Sequence, residues 1–302
     1  MFPPLPQWSV SHYARLSIAT AIATIVLKGY GYLLTNSLAL LADALESLVN
    51  LVAVVFTAWM LWLAAQPPDA EHTFGYSKFE YFASGFEGIL ILTAAGSIIF
   101  SALERWLNPQ TIAEPLLGTI FVTTATLLNG IVGLLLIRAG TNLNAIALRA
   151  DGYHLLTDVW TSLGALVGLI LVALTGITLF DVLAALVVSL NIIWTGVHLI
   201  KESEAGLVDT ALPKDQQQIV TEVLRQYEAK GIQFHAFRSR RAGRRSFIQI
   251  HVLVPKDWTV QAGHDLCDRL ERDIRAVLPS THIITHLEPL EDELSWQDTD
   301  LP

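Results

Sequence analysis

Two short stretches, far apart in the chain, repeat one spacing of polar residues inside apolar surroundings. The first holds Asp43, Glu46 and Asn50; the second holds Asp151, His154 and Asp158. Each follows the spacing i, i+3, i+7, which places all three on one face of an α-helix. A carboxylate inside a bilayer is expensive and normally faces a partner or a water-filled cavity. Turned toward each other, the two faces offer Glu46, Asn50, His154 and Asp158. That is a set of three oxygen ligands and one imidazole nitrogen, suited to a divalent cation. With no thiolate, it suits Zn, Fe(II), Mn, Co or Ni, and four ligands match the tetrahedral preference of zinc. The imidazole argues against calcium and magnesium. His154 binds a metal only when neutral, and the carboxylates only when ionised. A proton therefore competes for the empty site, which predicts metal movement exchanged for proton movement.

The bland alternative for any one of these residues is a hydrogen bond between helices and nothing more. The doubled pattern argues otherwise. Its flanks match as well, with Ala39, Leu40 and Ala42 against Ala147, Leu148 and Ala150. Internal repeats with a polar site at matching depth are a common transporter device. Asp43 and Asp151 sit one turn from the central four, as gate or relay groups or as helix-packing hydrogen bonders. Lys28 and Asn129 also lie within apolar spans; Lys28 is expected to snorkel or to pair with an acid.

Helices crossing a bilayer must carry these groups. The chain has 302 residues, 52% hydrophobic and 16% charged, far below the quarter that soluble domains carry. Runs of roughly 20 apolar residues define six expected spans, at about 12–33, 38–65, 79–106, 114–137, 145–175 and 179–200. Gln66, Pro67 and Pro68, then Asn108 and Pro109, then Gly140, Thr141 and Asn142 break the runs. No cleavable signal is expected, because the first residues lack a basic region and hold prolines. Lys78, Arg138, Arg149 and Lys201 lie on one set of loops and Arg105 on the other, which places both termini in the cytoplasm. The net charge of −9 gives no reason to expect nucleic acid, and a single cysteine suits a reducing compartment. The expected location is the cytoplasmic (inner) membrane, multi-pass.

Beyond residue 200 the chain becomes densely charged. Residues 215–227 pattern as an amphipathic helix, 233–240 and 245–254 as strands joined at Ala242 and Gly243, 260–278 as a helix and 282–287 as a strand. The order α-β-β-α-β describes a small two-layer α+β domain. The expected organisation is a six-helix transmembrane domain over 1–204, a cytoplasmic domain over 205–290 and an acidic, unstructured tail over 291–302. Arg238, Arg240, Arg241, Arg244 and Arg245 form a basic hairpin edge, solvated or touching anionic head groups.

The ordered set of motifs resembles the cation diffusion facilitator family over about residues 12–290. The pieces are Ser37-Leu-Ala-Leu-Leu-Ala-Asp43, His72-Thr-Phe-Gly-Tyr-Ser-Lys-Phe-Glu80, the His154-x-x-x-Asp158 pair and the α-β-β-α-β end. The resemblance implies a metallochaperone-like cytoplasmic domain and a homodimer in the bilayer that exports a divalent metal against an inward proton flow. It assigns Glu46, Asn50, His154 and Asp158 to the transport site. The family's pair on the second span is commonly His or Asp followed by Asp, so Glu46 and Asn50 depart from it. Zinc leads, with Fe2+, Mn2+, Co2+, Ni2+ and Cd2+ open. The resemblance also implies a loop site at Asp69, His72 and Tyr76, where Tyr76 stands in place of a histidine. It implies regulatory cytoplasmic metal binding by His235, His251, His264, His286 and Glu288, and a charge interlock between Lys78 and Asp209.

Two other functions compete. An intramembrane metalloenzyme would need an open coordination position and lacks a His-Glu-x-x-His helix here. A non-transporting metal sensor or scaffold is the other, kept open by the amide at Asn50. The expectation is a secondary active transporter rather than an enzyme.

Overall fold

The computed structural model describes residues 8–35, 38–107, 116–176 and 179–297; inside the helices, the side chains of 38–46 and of scattered further positions lie outside the description. The chain divides into two compact units, Met1–Glu204 and Ala205–Pro302.

The first unit holds α1 (Val10–Thr35), α2 (Leu38–Ala64), α3 (Phe79–Leu107), α4 (Leu116–Asn142) and α5 (Ile146–Thr175), with α6 (Leu179–Leu207) running to its end. The helices stop where the chain cannot continue them. Pro67 and Pro68 follow α2, since proline has no N–H to give and clashes with the preceding turn. Asn144 at φ 52 turns the chain tightly between α4 and α5. Among the described residues, Val10–Tyr30, Phe79–Glu104, Thr123–Asn142 and Val182–Leu207 are long and apolar enough to cross a membrane. α5 carries Arg149, Asp151 and Asp158 along an otherwise apolar length.

α5 lies centrally, packed against α1, α2, α3 and α4. Its approach to α4 requires two glycines. A Cβ on Gly152 would stand 2.8 Å from the Gly133 carbonyl oxygen, and one on Gly133 would stand 3.0 Å from that of Gly152. Small residues at such crossings let membrane helices meet backbone to backbone. The contact brings α4 close to the α5 stretch that carries His154. Leu136, Leu148, Ala145 and Ala147 are fully enclosed around it.

The second unit holds α7 (Lys214–Glu228), β1 (Gln233–Ala242), β2 (Arg245–Val254), α8 (Val260–Val277), β3 (Thr281–Pro289) and a 3-10 turn, Glu293–Trp296. The sheet order is β1-β2-β3, with β1 antiparallel and β3 parallel to β2. Strand alternation sends Ile248, Ile250, Val252 and Val254 to one face, where they meet Val220, Leu224, Leu266, Leu270 and Ile274 of the two helices. Leu270 is wholly enclosed, so Leu270→Ala would cost about 2–5 kcal/mol. Thr259 caps α8 by accepting from the Ala262 N–H at 3.2 Å. Tyr227 donates its hydroxyl to Asp273 at 2.6 Å, and burial with that bond pushes the phenol up to about 12. The acidic end was expected to lack structure. Glu293–Trp296 instead form the 3-10 turn, with Asp292 accepting from the Leu294 N–H at 3.0 Å, and 298–302 lie outside the described residues.

Candidate functional site

Three helices converge on Asp158. Asn50 of α2 donates Nδ2–H to its Oδ2 at 3.4 Å, and Asn129 of α4 donates to the same oxygen at 3.2 Å. Two side chains from the repeated spacing, Asn50 and Asp158, therefore meet. Asn50 presents its N–H side to the carboxylate. To ligate a cation it must turn its Oδ1 inward, because an amide nitrogen has no lone pair to offer. Asp43 and Glu46 lie on α2 but outside the residues whose side chains are described.

One turn along α5, His154 is buried with Nδ1 3.5 Å from Oε2 of Glu87 on α3. The other oxygen of Glu87 accepts from the Thr57 hydroxyl at 2.8 Å. Glu87 is wholly enclosed. Asp151 is buried as well, with Glu87, His154 and Ser17 as its polar neighbours. The polar face of α5 thus meets α1, α2, α3 and α4, not α2 alone. Glu87 and Thr57 were not among the expected site residues, and Asn129 was expected only as a polar group within an apolar span. Glu87 carried the same signal as the others: an acid deep in an apolar run, seven residues past Glu80 on the face shared with Ser84.

The loop between α2 and α3 gathers Asp69, His72 and Tyr76. Tyr76 donates its hydroxyl to Oδ2 of Asp69 at 2.5 Å, and His72 Nδ1 lies 3.5 Å from Oδ1. The Tyr76 hydroxyl holds the Asp69 carboxyl below its usual range, and Asp69 in turn pushes the phenol up. The phenol thus occupies Oδ2, while Oδ1, the oxygen nearer His72, accepts the N–H groups of Glu71 and His72.

In the second unit, register builds a row of imidazoles. His235 of β1 pairs across from His251 of β2, which pairs across from His286 of β3. Glu288 follows two residues on and so shares the face of His286. Its Oε2 lies 2.9 Å from His235 Nε2 and 3.1 Å from His251 Nδ1. The ligand atoms of His235, His251 and Glu288 lie within 4.8 Å of one another. This donor set, two imidazoles and a carboxylate converging on one point, fits a transition metal replacing the shared protons. His286 Nε2 stands at the rim, 3.5 Å from Oε1 of Glu288. His264 is not brought in: it is exposed on α8, 3.6 Å from Asp268. A register break between His235 and Arg238, with Ala236 at φ 49, lies just past His235 in β1. Asp209 accepts from Arg240 Nη1 at 3.0 Å within this unit.

Comparisons with known proteins agree with this architecture. The family model of the cation efflux transmembrane domain matches residues 14–208, and that of the cation efflux protein cytoplasmic domain matches 212–290. The chain is 50% identical to an uncharacterised transporter of Synechocystis sp. over 95% of this chain and 93% of that protein. It is 30% identical to the cation-efflux pump FieF of Pectobacterium atrosepticum over 92% of this chain and 95% of that one. A solved structure of CzrB, described as a candidate zinc transporter, is 33% identical over 26% of this chain and 96% of that chain, with a TM-score of 0.24. The chain belongs to the cation diffusion facilitator family of divalent metal transporters.

Proposed function

We propose that this protein exports a divalent transition metal, zinc foremost, from the cytoplasm in exchange for protons. The transport site is Glu46 and Asn50 of α2 with His154 and Asp158 of α5. The observation that carries this reading is the meeting of Asn50 with Asp158, one turn from His154, within an apolar helix bundle. Asp158 supplies the charged oxygen, His154 the nitrogen, and Asn50 a neutral oxygen once its amide turns. Asn129 holds the Asp158 carboxylate in place. Glu87, braced by Thr57, stands behind the imidazole, and a carboxylate there fixes ring orientation and raises ligand basicity. Asp43 and Asp151 are gate or relay groups on either side.

Antiport follows from ligand chemistry. His154 must shed a proton to bind the ion, so loading the site releases protons and unloading takes them up. Fe2+ and Mn2+ are alternative substrates, favoured by the oxygen-rich set; Co2+, Ni2+ and Cd2+ extend the range. The protein works as a homodimer in the cytoplasmic membrane with both termini in the cytoplasm. There His235, His251 and Glu288, with His286 at their rim, bind metal as a regulator. The loop residues Asp69, His72 and Tyr76 bind metal weakly or not at all, because the phenol occupies the carboxylate.

Purified protein in liposomes tests the reading, with Zn2+, Fe2+, Mn2+, Co2+, Ni2+ and Cd2+ offered in parallel under a set pH gradient. Transport that follows the gradient and fails in His154→Ala supports it. Binding without transport would leave a sensor with the same fold.

A further inference from the structure

The cytoplasmic family match ends at residue 290, yet the chain continues in an ordered way. Leu290 donates its N–H to the Val254 carbonyl at 2.8 Å, tying the segment to the end of β2. The Lys256 N–H donates to Glu291 at 2.9 Å. Ser295, buried, donates its hydroxyl to the Pro289 carbonyl at 2.9 Å. Trp296 donates Nε1–H to the Leu290 carbonyl at 3.1 Å. These bonds hold an otherwise short and acidic segment in one conformation.

Their product is a ring stack. The Trp296 indole lies on the His235 imidazole with centroids 5.6 Å apart and planes at 24°. His251 meets His235 edge-on, at 4.8 Å and 71°. His235 is thus held between two rings while its Nε2 points at Glu288. A ring so held has little freedom to swing away, and a ligand fixed in its bound orientation loses less entropy on binding. Once a cation draws charge from the imidazole, its attraction to the electron-rich indole face grows.

We infer that the C-terminal turn is a built-in cover of the cytoplasmic metal site, with Trp296 as the positioning residue for His235. The inference rests on reading His235, His251 and Glu288 as that site. The cover keeps the ion from leaving by its own side and places a fluorophore against a ligand. Its sequence signal was faint: one tryptophan in a polar tail that composition marks as unstructured.

The full-length protein in detergent tests it, with Co2+ as a quenching probe and Zn2+ measured against a chelator. Wild type is compared with Trp296→Phe, Trp296→Ala and His235→Ala. The expected result is Co2+ quenching of an emission component that both Trp296 variants lack. Trp296→Phe keeps Zn2+ affinity within about twofold, since a ring remains, while Trp296→Ala weakens it about tenfold and speeds release to the chelator. Binding and release by Trp296→Ala at the wild-type level, with binding lost in His235→Ala, overturns the cover and spares the metal site. Binding unaltered by His235→Ala removes both together. The indole is 42% exposed, so its loss leaves the buried core intact.

Discussion

The two polar clusters of this protein are built in opposite ways. The cytoplasmic one is a product of strand register. Three histidines fall in one row across β1, β2 and β3, and the ligand atoms of His235, His251 and Glu288 already stand within 4.8 Å of each other. The membrane one is assembled from side chains on separate helices, and its described members face each other as hydrogen-bond partners. Asn50 and Asn129 both give N–H groups to Asp158, and His154 leans on Glu87. A site made by a rigid sheet suits an ion that stays. A site whose amide must turn before it ligates suits an ion that passes, because conduction needs binding weak enough to release.

The strongest way to break this contrast is to remove a membrane ligand. Asp158→Ala is expected to lower transport about 100-fold or more, beyond what loss of a supporting residue does, in liposome flux measured with Zn2+. The cytoplasmic site should bind as before in the same protein, by calorimetry. Equal damage to both would mean that the clusters are not separate. Next in size, His251→Ala should weaken cytoplasmic Zn2+ binding about 10- to 100-fold, while flux at saturating metal falls only a few-fold.

Glu87→Gln sharpens the membrane half. It keeps the bond from Thr57 but removes the charge behind His154, and metal affinity there should drop about tenfold. The nitrogen chemical shifts of His154 would report the change of ring orientation, which a merely structural effect would leave alone. The smallest expected effect lies in the loop. Tyr76→His replaces the phenol bonded to Asp69 with a ligand, and a new weak metal site should appear by titration. No gain of binding would show that the loop backbone, and not the phenol, withholds the site.

Much of this was open to reading in the chain itself. Pro67 and Pro68 and the polar breaks delimit the helices because proline and solvated groups cannot continue a membrane span. Alternation of Phe247 through Val254 marks β2 because one face must be dry. The helix-face rule groups Asn50 with Asp43 and Glu46, and Asp158 with Asp151 and His154; that Asn50 meets Asp158 is a matter of packing. Other features were hidden. Glu87 showed itself only as an acid in an apolar run; its meeting with Thr57 and His154 on other helices is set by packing, which no local spacing reveals. The bulge at Ala236 places a non-glycine residue at positive φ, which no propensity favours. His264 matched its family position in the chain, yet α8 turns it to solvent, away from the sheet face that holds His251. The ordered tail depends on hydrogen bonds from Ser295 and Trp296 to backbone carbonyls, which composition does not reveal.

The central claim is that one ion sits between α2 and α5 with a single imidazole in its shell. X-ray absorption at the zinc edge tests it most directly, on full-length protein carrying His235→Ala and His251→Ala so that the membrane site alone is loaded. The account predicts one nitrogen and three oxygens around the ion, with the imidazole scattering gone after His154→Ala. A shell without imidazole, or one unchanged by His154→Ala, would contradict it.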